Sequence, residues 1–383
     1  MGGAAGGRSA MKIANLHIEN FRALRSLDID FTDALGRVRP VTVIAGPNAS
    51  GKTSILEALD ASVGQAQELY TTRPNLNVVR RGAVQCSVSG ELRFSEDEIR
   101  AAREVIHLAH PSGGSTPEAP EVRFKWTYPD PQRKHVGGRL EWEPGGAWRL
   151  PKARVTVARL LATGAVDRSW FNRCGRLFIA EQERTGLRVT IPRDVARLLL
   201  MAVDDGEPEA RGTQDLRTQD LHTEDLKRVV CALAVRDRLD TDSRVASRVD
   251  YFAQVRDDFA RLAPPHRIVG VVPTDDGVDV RFSDGKSEYG FDDLSSGQRM
   301  FLRYIVALRV EHIHRSIVAI DEVELHQHPA WQARLVHSLP GIGEDNQYIL
   351  TTHSEYVRRL VSPRDLVNLG SPTAPVAEGS SAR

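Results

Sequence analysis

Residues Gly46-Pro47-Asn48-Ala49-Ser50-Gly51-Lys52-Thr53 match the pattern G-x-x-x-x-G-K-[ST], and their reading decides the fold. The apolar run Val41-Thr42-Val43-Ile44 ahead of them reads as a buried strand, and Ser54-Ile55-Leu56-Glu57-Ala58-Leu59 behind them reads as a helix. Gly46 and Gly51 permit backbone angles that turn successive N–H groups towards one anion, and the helix N-terminus adds partial positive charge. Such a strand–loop–helix unit implies an α/β fold and a bound nucleoside triphosphate. Lys52 is expected to reach the β- and γ-phosphates and the Thr53 hydroxyl to ligate Mg²⁺, with Asn48 and Ser54 completing the loop. Alone, the pattern arises by chance in about one chain of average composition in a hundred. Further motifs must therefore decide.

Three follow in order. Asp321-Glu322 closes the apolar run Ile317-Val318-Ala319-Ile320. That puts two carboxylates at the C-terminal edge of a buried strand, where ligands of open α/β sheets bind. Asp321 is expected to hold Mg²⁺ through water, and Glu322 to orient or deprotonate the attacking water. His353 follows another apolar run, Tyr348-Ile349-Leu350, within Thr351-Thr352-His353-Ser354. It can donate a hydrogen bond to the γ-phosphate or to the water. Leu294-Ser295-Ser296-Gly297-Gln298 opens a helical run from Arg299 to Leu308. Ser295, Gly297 and Gln298 thus present a second helix N-terminus to an anion. Singly, each motif has an ordinary reading: a solvated acidic turn, a structural histidine, a capped helix. In this order behind a phosphate loop, the ordinary readings lose.

Leu294–Gln298 closely resembles the signature motif of ABC-type ATPases. That resemblance, not spacing, implies that the signature faces the phosphate loop of a second subunit. A homodimer or higher oligomer is then part of the chemistry. The opening segment from Met11 through Asn20-Phe21-Arg22 resembles the first strand of the RecF/SMC/OLD superfamily, OLD standing for overcoming lysogenisation defect. By that resemblance Arg22 lies near the nucleotide. Asp321-Glu322-Val323-Glu324-Leu325-His326-Gln327-His328-Pro329 resembles the D-E-x-E-x-H-x-H-P run of OLD-like members in particular. The likeness covers roughly residues 11–95 and 268–370. It implies a P-loop ABC-type ATPase head with an antiparallel side sheet.

About 240 residues separate Lys52 from Leu294. SMC proteins fill that interval with a long coiled coil, but here no heptad pattern is sustained over three or four repeats. Helical candidates at 192–203, 223–239 and 243–262 are short and separated by polar breaks. Alternation over Val84–Leu92, Val122–Tyr128 and Arg139–Trp142 reads as strands of the side sheet. The expected layout is a flexible leader (1–10), an N-terminal ATPase lobe with the phosphate loop and side sheet (11–150), and an inserted, mainly helical lobe (151–267). A C-terminal ATPase lobe (268–370) and a disordered tail (371–383) complete it. Gln65, Gln67 and Gln85 are equal candidates for the further Mg²⁺ and water ligand that such ATPases carry.

The resemblance implies ATP hydrolysis with Mg²⁺ in the cytoplasm, within a prokaryotic module of phage defence. Some superfamily members carry a fused C-terminal TOPRIM nuclease. The roughly 30 residues after His353 are too few for one, so a separate effector protein, a nuclease or toxin, is expected. One alternative is a RecF-like repair clamp that grips DNA directly. Another is a nucleotide-gated interaction module with negligible turnover, against which the intact Glu322 and His353 speak.

Composition adds limits. With 51 basic and 51 acidic residues, the whole chain has no net attraction for nucleic acid or an anionic membrane. Residues 121–195 carry 15 basic and 8 acidic side chains, and 204–258 carry 9 and 14. That asymmetry keeps nucleic acid as a candidate partner beside the plainer reading of a solvated, arginine-rich surface. Cys86, Cys174 and Cys231 are isolated and fit reduced thiols. The pairs His312/His314 and His326/His328 lack further ligands at zinc spacing. No run of 18 apolar residues exists, so no membrane-spanning helix is expected. Thr213-Gln214-Asp215-Leu216-Arg217 recurs as Thr218-Gln219-Asp220-Leu221-His222 and Thr223-Glu224-Asp225-Leu226-Lys227. This reads as an expanded surface loop or a docking strip, its last copy starting a helix over Leu226–Leu239.

Overall fold

Five short apolar runs, each four to six residues long except the last, line up as parallel strands. The computed structural model describes residues 11–67, 77–111, 119–130, 138–180, 187–189, 219–221, 223–239, 249–274, 277–324 and 328–370. Its central sheet runs in the order Leu366–Asn368 (β15), Val41–Ala45 (β3), Gln347–Thr352 (β14), Ile317–Ile320 (β13), Leu177–Ala180 (β7). β13 and β14 are buried at every position, which is why Ile317–Ile320 and Tyr348–Leu350 read as unbroken apolar runs. The register pairs Ala45 with Thr352, Leu350 with Ile320, and Ile320 with Ala180. The C-terminal ends of these strands therefore emerge along one edge.

Alternate residues of β13 serve two cores. Ile317 and Ala319 pack on one face of the sheet, Val318 and Ile320 on the other. The first core holds the phosphate-loop helix Lys52–Leu59 (α1), through Ile55, Leu56 and Leu59. It also holds the inner face of an antiparallel side sheet. That sheet orders Leu24–Asp30 (β2), Lys12–Phe21 (β1), Cys86–Arg93 (β4), Glu121–Tyr128 (β5), Arg139–Glu143 (β6). β5 shows the expected alternation, with Val122, Phe124 and Trp126 buried and Glu121, Arg123 and Lys125 exposed. Because α1 touches both β1 and β14, the two sheets clamp it.

Between β4 and β5 the alternating reading passes over a helix, Glu96–Ala109 (α2). Its signal was legible: Ser95 and Glu98 form a capping box of the S-x-x-E type. Arg149–Ala162 (α3) packs against it. The second core gathers Thr223–Leu239 (α4), Tyr251–Leu262 (α5), Ser296–Val310 (α6) and Pro329–Ser338 (α7). Glu355–Leu360 (α8) joins them through Val357. So does a small sheet of Arg267–Thr274 (β10), Gly277–Ser283 (β11) and Glu288–Tyr289 (β12). Leu187–Val189 (β8) pairs with Gln219–Leu221 (β9).

Much of the stretch read as an inserted lobe is built into this head. β7 is an edge strand of the central sheet, and α4 and α5 share the second core with α6. The third repeat copy opens α4 at Thr223 and part of the second is β9. The first copy, the 192–203 candidate, the leader and the tail lie outside the described residues. Among the described residues, no helix is long and apolar enough to cross a membrane.

Candidate active site

β3 ends at Ala45, and the chain turns through a loop tied to β14. Gly46 N–H donates to the Thr352 carbonyl at 3.2 Å, and Ser50 N–H to the Pro47 carbonyl at 3.2 Å. Gly51 adopts φ +96, and a Cβ there would stand 2.5 Å from Leu24 Cδ2. Backbone angle and space both demand glycine. Lys52 is 5% exposed, its Nζ donating to the Gly46 and Pro47 carbonyls at 2.9 Å each. The ammonium is thus held inside the loop rather than in solvent. Ser50 Oγ is buried there without a hydrogen-bond partner among the described residues.

The next residue reaches across the sheet edge. Thr53 Oγ1 donates to Asp321 Oδ2 at 2.8 Å. Asp321 follows β13, and its N–H donates to Ala180 at the end of β7. Its other oxygen, Oδ1, accepts from the hydroxyl of Thr351, a fully buried residue of β14. That same hydroxyl accepts from the Glu322 N–H at 2.8 Å. Glu322 sits at φ +44, in a region a non-glycine residue enters at a cost of about 1–3 kcal/mol. The Thr351 bond helps hold it there. Thr351 stood unremarked inside its motif, and only the parallel pairing of β13 with β14 shows its use.

His353 completes the edge. Its Nδ1 lies 2.8 Å from Glu324 Oε1 and 3.9 Å from Glu322 Oε1. Ser354 caps α8 through its side chain, which also donates to Gln332 Oε1 of α7 at 3.1 Å. Lys52 and Thr53, at the start of α1, thus stand beside Asp321, Glu322 and His353, which follow the neighbouring strands β13 and β14.

Two families match this architecture. One, described as "AAA ATPase domain", covers residues 11–97, the first strand through the phosphate loop. The other, "AAA domain, putative AbiEii toxin, Type IV TA system", covers 236–359, the signature through His353. These matches make the chain similar to SMC/RecF/OLD-like ABC-type ATPases. It is 31% identical over 108 residues to the Septu protein PtuA of Bacillus thuringiensis, a match spanning 25% of this chain and 27% of PtuA. It is 21% identical to the "Retron Ec83 probable ATPase" of Escherichia coli across 93% of this chain and 71% of that one. A crystal structure of the SmcHead bound to the C-winged helix domain of ScpA overlaps 93% of both chains at 14% identity, with a TM-score of 0.46. Shorter matches reach Rad50 and RecF repair proteins, over 48 and 107 residues.

The site suits a nucleotide with Mg²⁺ by its own chemistry. A partnerless buried hydroxyl at Ser50 and a glycine-walled loop leave donors for phosphate. Thr53 and Asp321 offer the hard oxygens that Mg²⁺ prefers. Arg22, at φ +48, pairs with Glu57 at 2.8 Å, one turn along α1 from Thr53. Asn48 is exposed in the loop and Ser54 is buried in α1.

Ser295 is the exposed N-cap of α6, and Gly297 and Gln298 are buried behind it. Gln298 Oε1 accepts from the Ser295 N–H at 2.7 Å, so its side chain is spent on the cap. The Gln298 N–H in turn donates to Ser295 Oγ at 3.3 Å, closing a reciprocal cap. The three glutamines are engaged elsewhere. Gln65 accepts from Trp126, Gln67 from the Leu177 N–H, and Gln85 donates to the Pro129 carbonyl.

Proposed function

We propose that this chain hydrolyses ATP between two copies of itself and that the cycle governs a separate nuclease or toxin in prokaryotic phage defence. One observation carries the catalytic part: Lys52, Thr53, Asp321, Glu322 and His353 converge on one edge of a parallel sheet. In this reading Lys52 and the loop N–H groups bind the β- and γ-phosphates. Mg²⁺, held by Thr53 and Asp321, would neutralise charge developing on the phosphates. Glu322 takes a proton from the attacking water or orients it, and His353 donates to the γ-phosphate or that water. Ser295 and Gly297 complete the site of the second copy, with Gln298 holding Ser295 in its cap.

The defence role is supported by the OLD-like run after Asp321 and by relatives named from Septu and retron systems. The cytoplasm is its setting in this reading. The test combines two measurements. Purified protein should release phosphate from ATP only with Mg²⁺ present. Glu322→Gln protein loaded with ATP in native cells should co-purify with one nuclease or toxin. Recovery of DNA and replication proteins instead would favour the RecF-like clamp. No phosphate release, alone or with native partners, would reject the ATPase reading.

A further inference from the structure

We propose that Glu324 is a positioning residue for this reaction, fixing which ring nitrogen of His353 faces the site; the proposal rests on the ATPase reading above. The side chain of Glu324 is only 5% exposed. Its Oε1 accepts from the His353 N–H at 2.6 Å and the Ser354 N–H at 3.2 Å, and lies 2.8 Å from His353 Nδ1. Its second oxygen, Oε2, is buried without a partner among the described residues. Burying a carboxylate this incompletely paired costs free energy, and a merely structural turn does not require it. The turn already has a cap, because Ser354 Oγ accepts from the Val357 N–H at the start of α8. What Glu324 adds is the hold on the ring.

The chemistry of that hold is specific. A carboxylate oxygen only accepts, so Nδ1 must carry the proton it shares with Glu324. Nε2 is then the nitrogen presented to the site, a lone pair in the neutral ring and a second N–H in the charged one. The two backbone bonds fix the position of His353, and the Nδ1 bond fixes its rotation. Glu322, 3.9 Å from the same nitrogen, is beyond hydrogen-bond reach, so the ring is held by Glu324. Two carboxylates two residues apart thus divide the labour. Glu322 is the more exposed, with 27% of its side chain open, and serves the water. Glu324 serves the histidine.

Glu324→Ala is the informative variant, because it removes the oxygen that holds Nδ1 while Ser354 still caps α8. Turnover of ATP should fall roughly 10–100-fold, the usual effect of losing such an outer partner. KM and nucleotide affinity should stay within about twofold, since no substrate contact is lost. In a His353→Ala background the same change should add nothing further. A turnover within about twofold of wild type, or losses that multiply in the double variant, would overturn the proposal. Should Glu324→Ala not fold, the wild type decides. Its isotope-labelled His353 ring, read by NMR in alkaline solution, should carry its proton on Nδ1, and a proton on Nε2 would overturn the proposal. Absence of hydrolysis by wild-type protein with its native partners is a different failure, that of the ATPase reading.

Discussion

Thr53 Oγ1 donates to Asp321 Oδ2 at 2.8 Å, although 268 positions separate them in the chain. A helix N-terminus and a strand end are thereby joined by two oxygen ligands of the kind Mg²⁺ takes. Replacing Asp321 with Asn, or Thr53 with Ala, removes one of them. The Mg²⁺ concentration giving half-maximal phosphate release should rise about 10–100-fold. An unchanged Mg²⁺ titration in both variants would put the metal elsewhere.

Glu322→Gln should bind ATP yet turn it over at least about a hundredfold more slowly, as expected on losing a general base. The neighbouring Thr351 bond is to the backbone N–H and survives the change. Single-turnover kinetics with bound nucleotide give the measurement. Wild-type-like turnover would exclude Glu322 as the base.

Lys52→Ala acts at an earlier stage. The ammonium sits buried within the loop, and without it phosphate charge there is uncompensated. A direct titration should show weakened ATP binding. Unaltered affinity would refute the phosphate-loop assignment.

Ser295→Arg tests whether α6 works on a second copy. Ser295 is exposed at the N-terminus of α6, so a long side chain would stand where a phosphate should dock. Hydrolysis should vanish while each chain keeps its ATP affinity. Mixing this variant with Lys52→Ala leaves one composite site intact per mixed dimer, and part of the activity should return. No recovery in demonstrated mixed dimers would argue against sites shared between copies, or show that both must fire together.

Acid should destabilise the fold through the turn between α6 and β13. Burial first, then nearby Arg154, pushes His312 down from 6.5 to about 3. Burial, then Arg309, pushes His314 down to about 4. Between about pH 6.5 and 4 the unfolded chain binds protons that the folded one refuses, so stability rises with pH and is lost as pH falls. Each pH unit in that window should cost about 1.4 kcal/mol per histidine. His314→Asn, whose side-chain oxygen can accept the Glu344 N–H as Nδ1 does, should remove one histidine's share of the slope in urea melts. A slope equal to wild type would show that His314 titrates normally.

The sequence by itself determined the elements that are local. Gly46–Thr53 dictates a strand, a turn and a helix because its glycines, lysine and flanking apolar runs interact within about twenty residues. Asp321 and His353 were legible for the same reason, each ending an apolar run that can only be a buried strand. Tertiary structure decided what depends on which strands are neighbours. Thr351 meets Asp321 and Glu322 only because β14 lies beside β13 in parallel register, a pairing between segments about thirty residues apart. Glu324 could be seen as part of a motif, but its grip on His353 appears only once both strand ends share one edge. The three glutamines could not be ranked, because their partners, Trp126, Leu177 and Pro129, lie in or just after strands placed by long-range packing. Local chemistry writes itself into neighbouring residues; sheet order is set by burial of whole faces, which no short stretch encodes.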